Sequence, residues 1–235
     1  MNPSARIARL TGVAYLTFLI TGLLSQLVIR PQLEVMDDPV ATLANILERS
    51  EVANAAVALE LFLVLTQALV ALGFFALFHR ERPVAAYAVA TFGVANSLVL
   101  LASSAMLSAA THGASTAALA PAGDAAAGVA LLFSIYDSLW AAGPVFFGLW
   151  LLPMGWFMIS TRRMPVSLGW VLIVGGGGFI LSALIGAALP ALPSIIRDTL
   201  LVPATVGELW TIAYLLIWAI RPAPATHVPT MQSAR

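Results

Sequence analysis

Six stretches of this chain, at about 9–29, 52–78, 84–110, 130–160, 166–188 and 199–220, stay apolar for about twenty residues or more. A helix rises about 1.5 Å per residue and a bilayer's hydrocarbon core is about 30 Å thick, so each run suffices for one crossing. Hydrocarbon offers backbone polar groups no water, which leaves helices and closed barrels as the only spanning structures. Runs this long exceed the roughly ten residues of a barrel strand. The expected fold class is therefore all-α: a polytopic membrane protein with six transmembrane helices. Composition agrees, because 60% of residues are hydrophobic and 9% charged, against about 25% charged in soluble domains.

Arginine sets the expected direction. With alternating spans, Arg6, Arg9, Arg80, Arg82, Arg162, Arg163, Arg221 and Arg235 share one side, and Arg30, Arg49 and Arg197 the other. Basic residues collect on the cytoplasmic side, so the N- and C-termini are expected to be cytoplasmic. The basic opening "MNPSARIARL" runs into an apolar stretch longer than a secretory signal core, with no convincing cleavage site after it. Residues 9–29 are read as a retained span.

Between the first two spans lies "DDPVATLANILERSE". Asp38 is a candidate N-cap and Pro39 a candidate first helical residue. Val40, Leu43, Ile46 and Leu47 recur at helical spacing, so a short amphipathic helix is expected in this first outer loop, on the membrane surface or capping the bundle. Asp124 is positioned to begin an outward extension of the fourth span. Residues 1–221 read as one six-helix membrane domain. The Pro-rich tail 222–235 reads as disordered.

Several function classes drop out. A formal net charge of zero argues against a nucleic-acid partner. The chain has no cysteine, hence no thiolate metal site or thiol nucleophile, and no lysine, hence no retinal Schiff base. No zinc-protease, serine-hydrolase or phosphate-loop motif is present. "GGGG" at 175–178 follows no strand and precedes no lysine, so it reads as a surface for close helix approach. No catalytic residue and no cofactor is assigned.

Three carboxylates interrupt the apolar runs: Glu60, Asp137 and Glu208. Counting back from the arginine that ends each span, Glu208 lies thirteen residues from Arg221, about 20 Å. By the same count Glu60 lies about 30 Å from Arg80, and Asp137 about 37 Å from Arg162. Glu208 is the deep one, and an exposed charge there would cost at least about 2.5–3.5 kcal/mol. It is expected to be neutral at pH 7 unless water reaches it. Gln26, Gln67 and Asn96 join the three acids as candidate substrate- or proton-binding residues, with Asn54, Thr66, Tyr136, Ser138 and Tyr214 as further neutral partners. His112, at the outer end of the third span, is a weak metal candidate. No metal site is otherwise assigned.

"ARIARLTGVAYL", "ATLANIL", "VFFGLWLLPMGWFMISTRRMPVSLGWVLIVGG" and "VGELW" together cover much of the chain. These stretches resemble a bacterial family of small six-span membrane proteins catalogued as a domain of unknown function. The resemblance implies six spans, a bacterial cytoplasmic (inner) membrane and a Gly-Glu-Leu-Trp glutamate at Glu208. Members often carry an Asp before the Phe-Phe-Gly run, matched by Asp137. The His that some add is absent here, which weighs against a metal. The resemblance supplies no activity.

Three functions stay open. A non-catalytic membrane subunit or regulator leads; it calls for no cavity and for Glu208 bonded to a neighbouring helix. The second is binding or transport of a small molecule, cation or lipid through an outer-half cavity lined by Glu60, Asp137 and Glu208. The third is a lipid-modifying enzyme using a carboxylate as general acid or base. The partners implied are membrane lipid and a small molecule or protein, and a homodimer would supply twelve spans.

Overall fold

Proline and aspartate set where the helices begin. Asp38 accepts a 2.9 Å hydrogen bond from the Ala41 amide and Pro39 follows it as the first helical residue. Asp124 caps in the same way, accepting from the Ala127 amide at 3.0 Å. Pro83 opens another helix, and Pro165 and Pro193 immediately precede two more. The rigid ring supplies a helix-ready φ and gives up only an N–H that a first turn leaves unpaired.

The computed structural model describes residues 3–116 and 124–221. Among these residues the chain forms α1 (Pro3–Leu33), α2 (Pro39–Glu48), α3 (Ser50–Phe78), α4 (Pro83–Ala114), α5 (Ala125–Thr161), α6 (Val166–Ala188) and α7 (Ser194–Ile217). All but α2 are long and apolar enough to cross a membrane, so the protein is an all-α, six-span membrane protein. The tail 222–235 lies outside the described residues. Several helices overrun the expected spans: α1 extends to Leu33, α4 to Ala114, and α5 and α7 begin at Ala125 and Ser194. Within α1, just before the added turn, lies a π-helical turn, Ser25–Ile29. Pro144 and Pro153 lie inside α5, which is helical throughout.

The spans form a ring in chain order. Each packs on its sequence neighbour, and α7 closes back onto α1. Glycine makes the closest approaches. A Cβ on Gly176 would sit 2.7 Å from the Gly148 carbonyl oxygen of α5, and one on Gly175 would sit 2.5 Å from Ala204 Cα of α7. The glycine run thus serves two partners, its residues facing opposite neighbours. Gly155 and Gly169 repeat the contact between α5 and α6 nearer the arginine-rich end. Without a hydrophobic drive between helices in lipid, such small-residue contacts set which helices pair.

Inside the ring, the arginine-rich half is filled with aromatic side chains. Tyr15, Phe74, Phe78, Trp150 and Phe157 are fully buried, and Phe78 stacks on Phe157 at 3.6 Å between centroids. Arg163 closes this end: its Nε donates to the Arg221 carbonyl at 2.7 Å, and it pairs with Glu81. The Arg221 amide returns a 3.1 Å bond to the Arg163 carbonyl, which ties the end of the last span to the connection between α5 and α6.

The helix α2 covers the opposite end, packing chiefly on α5. It buries Thr42 and Ile46 beside Leu33, Ala53, Leu107 and Phe133. The expected apolar face is only half realised. Leu43 and Ile46 turn inward, but Val40 and Leu47 are exposed. Thr42 takes the inward place instead: its hydroxyl accepts from the Val35 amide at 3.0 Å and fixes the turn before α2.

Candidate functional site

Tyr15 on α1 and Glu208 on α7 face each other inside the ring. The phenol donates to Glu208 Oε1 at 2.6 Å. Tyr15 is held by rings on three sides, Phe18, Phe74 and Trp150. Glu208 is buried, and its second oxygen has no hydrogen-bond partner among the described residues. Only part of the stretch from Glu208 to Arg221 is helical. The helix ends at Ile217, so Glu208 lies nine helical residues, about 14 Å, from that end.

From this pair a cavity of about 300 Å³ runs toward the α2 end. Every span contributes to its wall. It follows α1 from Tyr15 to Gln26, eleven residues or about 16 Å. Most of the wall is apolar: Phe18, Leu63, Leu100, Phe147 and Phe179 are typical. Leu23 and Leu27 line it yet are 49% and 69% exposed, so the cavity opens sideways past α1 within the span. Among its lining residues Glu208 is the one with an acid and none is basic. The Asn96 carboxamide also lines it and has no hydrogen-bond partner among the described residues. This size is at the lower end of ligand clefts, about 300–1,000 Å³, which are mostly apolar with a few placed polar groups.

Glu60 and Asp137 do not line this cavity, contrary to the shared outer-half site expected of the three acids. Glu60, fully buried, lies in a separate polar cluster behind Gln26. Its Oε1 accepts from Ser25 Oγ at 2.7 Å, from the Tyr136 hydroxyl at 2.9 Å and from Gln26 Nε2 at 3.4 Å. The same Gln26 nitrogen donates to the Tyr136 oxygen at 2.8 Å. Gln26 therefore links the two sites, touching Glu60 on one side and the cavity on the other. Ser25 and Gln26 both lie in the π-helical turn Ser25–Ile29. Such turns are frequent at functional sites.

Asp137 is answered by an arginine. Arg30 pairs with it through Nη2, with Glu34 through Nε at 2.6 Å, and donates to Gln26 Oε1 through Nη1 at 3.2 Å. The guanidinium also lies 5.1 Å from the Tyr136 ring centroid. Gln67 is fully buried on α3, seven residues beyond Glu60 and off the cavity wall, with neither amide atom bonded among the described residues. His112 lies at the far end of α4 with its Nδ1 2.9 Å from the Ser108 carbonyl. Among the described residues no three His, Cys, Asp or Glu side chains gather as a metal site.

Sequence reasoning missed Tyr15, Ser25 and Arg30. Tyr15 carries a quiet signal: it is the phenol of the first span, six residues beyond Arg9. A first span ending at residue 29 leaves Arg30 in the loop, whereas the helix continues to Leu33 and carries Arg30 into the cluster.

No curated protein and no solved structure matches the chain. Residues 10–219 match the family described as a domain of unknown function (DUF4386), and the chain belongs to that family.

Proposed function

We propose that this membrane protein binds a small, largely apolar molecule carrying one amine or other cationic group, in the cavity that ends at Glu208. The observation that carries the reading is the wall's composition: apolar on nearly every side, one carboxylate with an unshared oxygen, and no basic side chain. An anionic ligand would meet Glu208 unfavourably. A wholly apolar one would leave the Glu208 and Asn96 polar atoms unanswered, at about 1–3 kcal/mol for each buried group. A cation seated on the carboxylate removes both charges from hydrocarbon together. The sideways opening past Leu23 and Leu27 admits such a molecule from the lipid.

The non-catalytic subunit that leads on sequence grounds calls for a closed interior. The Tyr15–Glu208 bond fits it and the cavity beside that bond does not, so binding is the better reading. Catalysis draws no comparable support, since the one ionisable group beside Glu208 on the wall is the Tyr15 phenol, whose proton is already committed to the Glu208 carboxyl. We assign the protein to a bacterial cytoplasmic membrane with its arginine-rich end toward the cytoplasm. The positive-inside bias supports that direction.

The test compares dodecylamine with dodecanol on the purified full chain in nanodiscs. A molecule that binds only the folded state raises its melting temperature. The amine should stabilise the wild type more than the alcohol does, and Glu208→Gln should erase the difference while keeping the fold. Equal effects of the two compounds on wild type would overturn the reading.

A further inference from the structure

A second hollow lies on the outside of the bundle, at the arginine-rich end, between the start of α4 and α5. Its volume is about 410 Å³. The walls are Val84 and Ala88 on one side and Leu152, Pro153 and Trp156 on the other. The short Ala88 side chain opposite the compact ring of Pro153 leaves a gap that larger residues would fill. Val84 and Trp156 are 82% and 57% exposed, so the groove presents apolar surface outward where the spans meet lipid. Exposed tryptophan at a span end is suited to the headgroup level.

Arg82 stands at the polar end of this groove. Its Nε is fixed by a 3.2 Å bond to Ser160 Oγ of α5, and its Nη atoms have no partner among the described residues. Glu81 also lines the groove, but its carboxylate is engaged by the buried Arg163. The charges of the two neighbouring loops are therefore unbalanced: Arg80, Arg82, Arg162 and Arg163 stand against Glu81.

We infer that this groove is a binding site for an anionic phospholipid, its phosphate held by Arg82 and one acyl chain laid between Val84 and Trp156. Charge selects the headgroup: a guanidinium fixed through Nε leaves two nitrogens to meet phosphate oxygens. The apolar length selects a lipid over free phosphate, which would leave the groove walls unused. A zwitterionic lipid brings its own cation to a site that already has one. The site is independent of the cavity at Glu208 and lies on the opposite face of the α4–α5 contact.

Native mass spectrometry of the full chain, after extraction into detergent with equal phosphatidylglycerol and phosphatidylcholine of matched chains, tests it. Wild type should retain phosphatidylglycerol with about a tenfold preference, worth about 1.4 kcal/mol. Arg82→Gln should reduce the preference to near unity, and Arg82→Lys, which keeps the charge and loses the fork, should keep part of it. Arg49→Gln, at the opposite end, should leave it unchanged, and an unaltered melting profile for each variant separates lost binding from lost fold. The inference is overturned if wild type retains both lipids equally, if Arg82→Gln keeps the preference, or if millimolar glycerol 3-phosphate displaces the lipid.

Discussion

Tyr15 donates a hydrogen bond to Glu208 across 193 residues of sequence, joining the first span to the last at 2.6 Å. The bond closes the ring of helices at the level where the cavity begins. It also fixes one carboxylate oxygen and leaves the other for a ligand.

Removing the phenol hydroxyl should therefore be costly and removing the charge should not. Tyr15→Phe keeps the ring packing against Phe74 and Trp150 but strips Glu208 of its donor. It should lose about 1–3 kcal/mol of stability, read as a lower midpoint in thermal or denaturant unfolding in detergent. Glu208→Gln retains an accepting oxygen and should unfold close to wild type. A Tyr15→Phe protein as stable as wild type would show that the bond contributes nothing to closure.

The glycine run offers a matched pair one residue apart. A Cβ at Gly178 would run into the Leu200 carbonyl oxygen, which belongs to backbone and cannot turn aside. Nothing lies within 4 Å of one at Gly177. Gly178→Ala should destabilise by about 1–3 kcal/mol through forced separation of α6 and α7. Gly177→Ala should be neutral or slightly stabilising, since alanine is the better helix former. Unfolding midpoints of the two variants give the comparison directly.

Much of this architecture is readable from residue order. Apolar run length gave six crossings, Asp38 with Pro39 marked the start of α2, and the glycine run marked a close helix contact. Each is a local property, fixed by a few neighbouring residues and by the solvent. The site was readable only in part. Glu208, Gln26 and Asn96 stood out as polar groups in oil, and the structure brings all three to one cavity. Their grouping with Glu60 and Asp137 failed for a physical reason. Residue counting gives depth alone, whereas Glu60 turns toward Ser25 and Tyr136 and Asp137 toward Arg30. Which side chain meets which across a ring depends on rotation about each axis, and residue counting does not record it.

The Arg30 cluster should behave as a clasp on the far end of α1. Arg30→Gln removes the cation shared by Asp137 and Glu34 and loosens the contact with α5. Amide hydrogen exchange across residues 25–38 should then speed by roughly tenfold while the arginine-rich half keeps its protection, as expected of a local opening. Asp137→Asn, which can still accept from Arg30, should show a smaller increase. Uniform acceleration through all spans would assign the cluster to global stability instead.

The account depends most on the cavity being reachable and on its occupant meeting Glu208. Because the chain has no cysteine, single-cysteine variants can be read without background. Val99→Cys places a thiol on the cavity wall, and Ala86→Cys places one in the fully buried core away from it. The decisive measurement is the rate of N-ethylmaleimide labelling of these two variants in nanodiscs, with and without dodecylamine. The account predicts labelling of Val99→Cys alone, slowed about tenfold or more by the amine, with that protection lost when Glu208→Gln is added. Labelling of Val99→Cys no faster than Ala86→Cys, or at a rate the amine leaves unchanged, would contradict it.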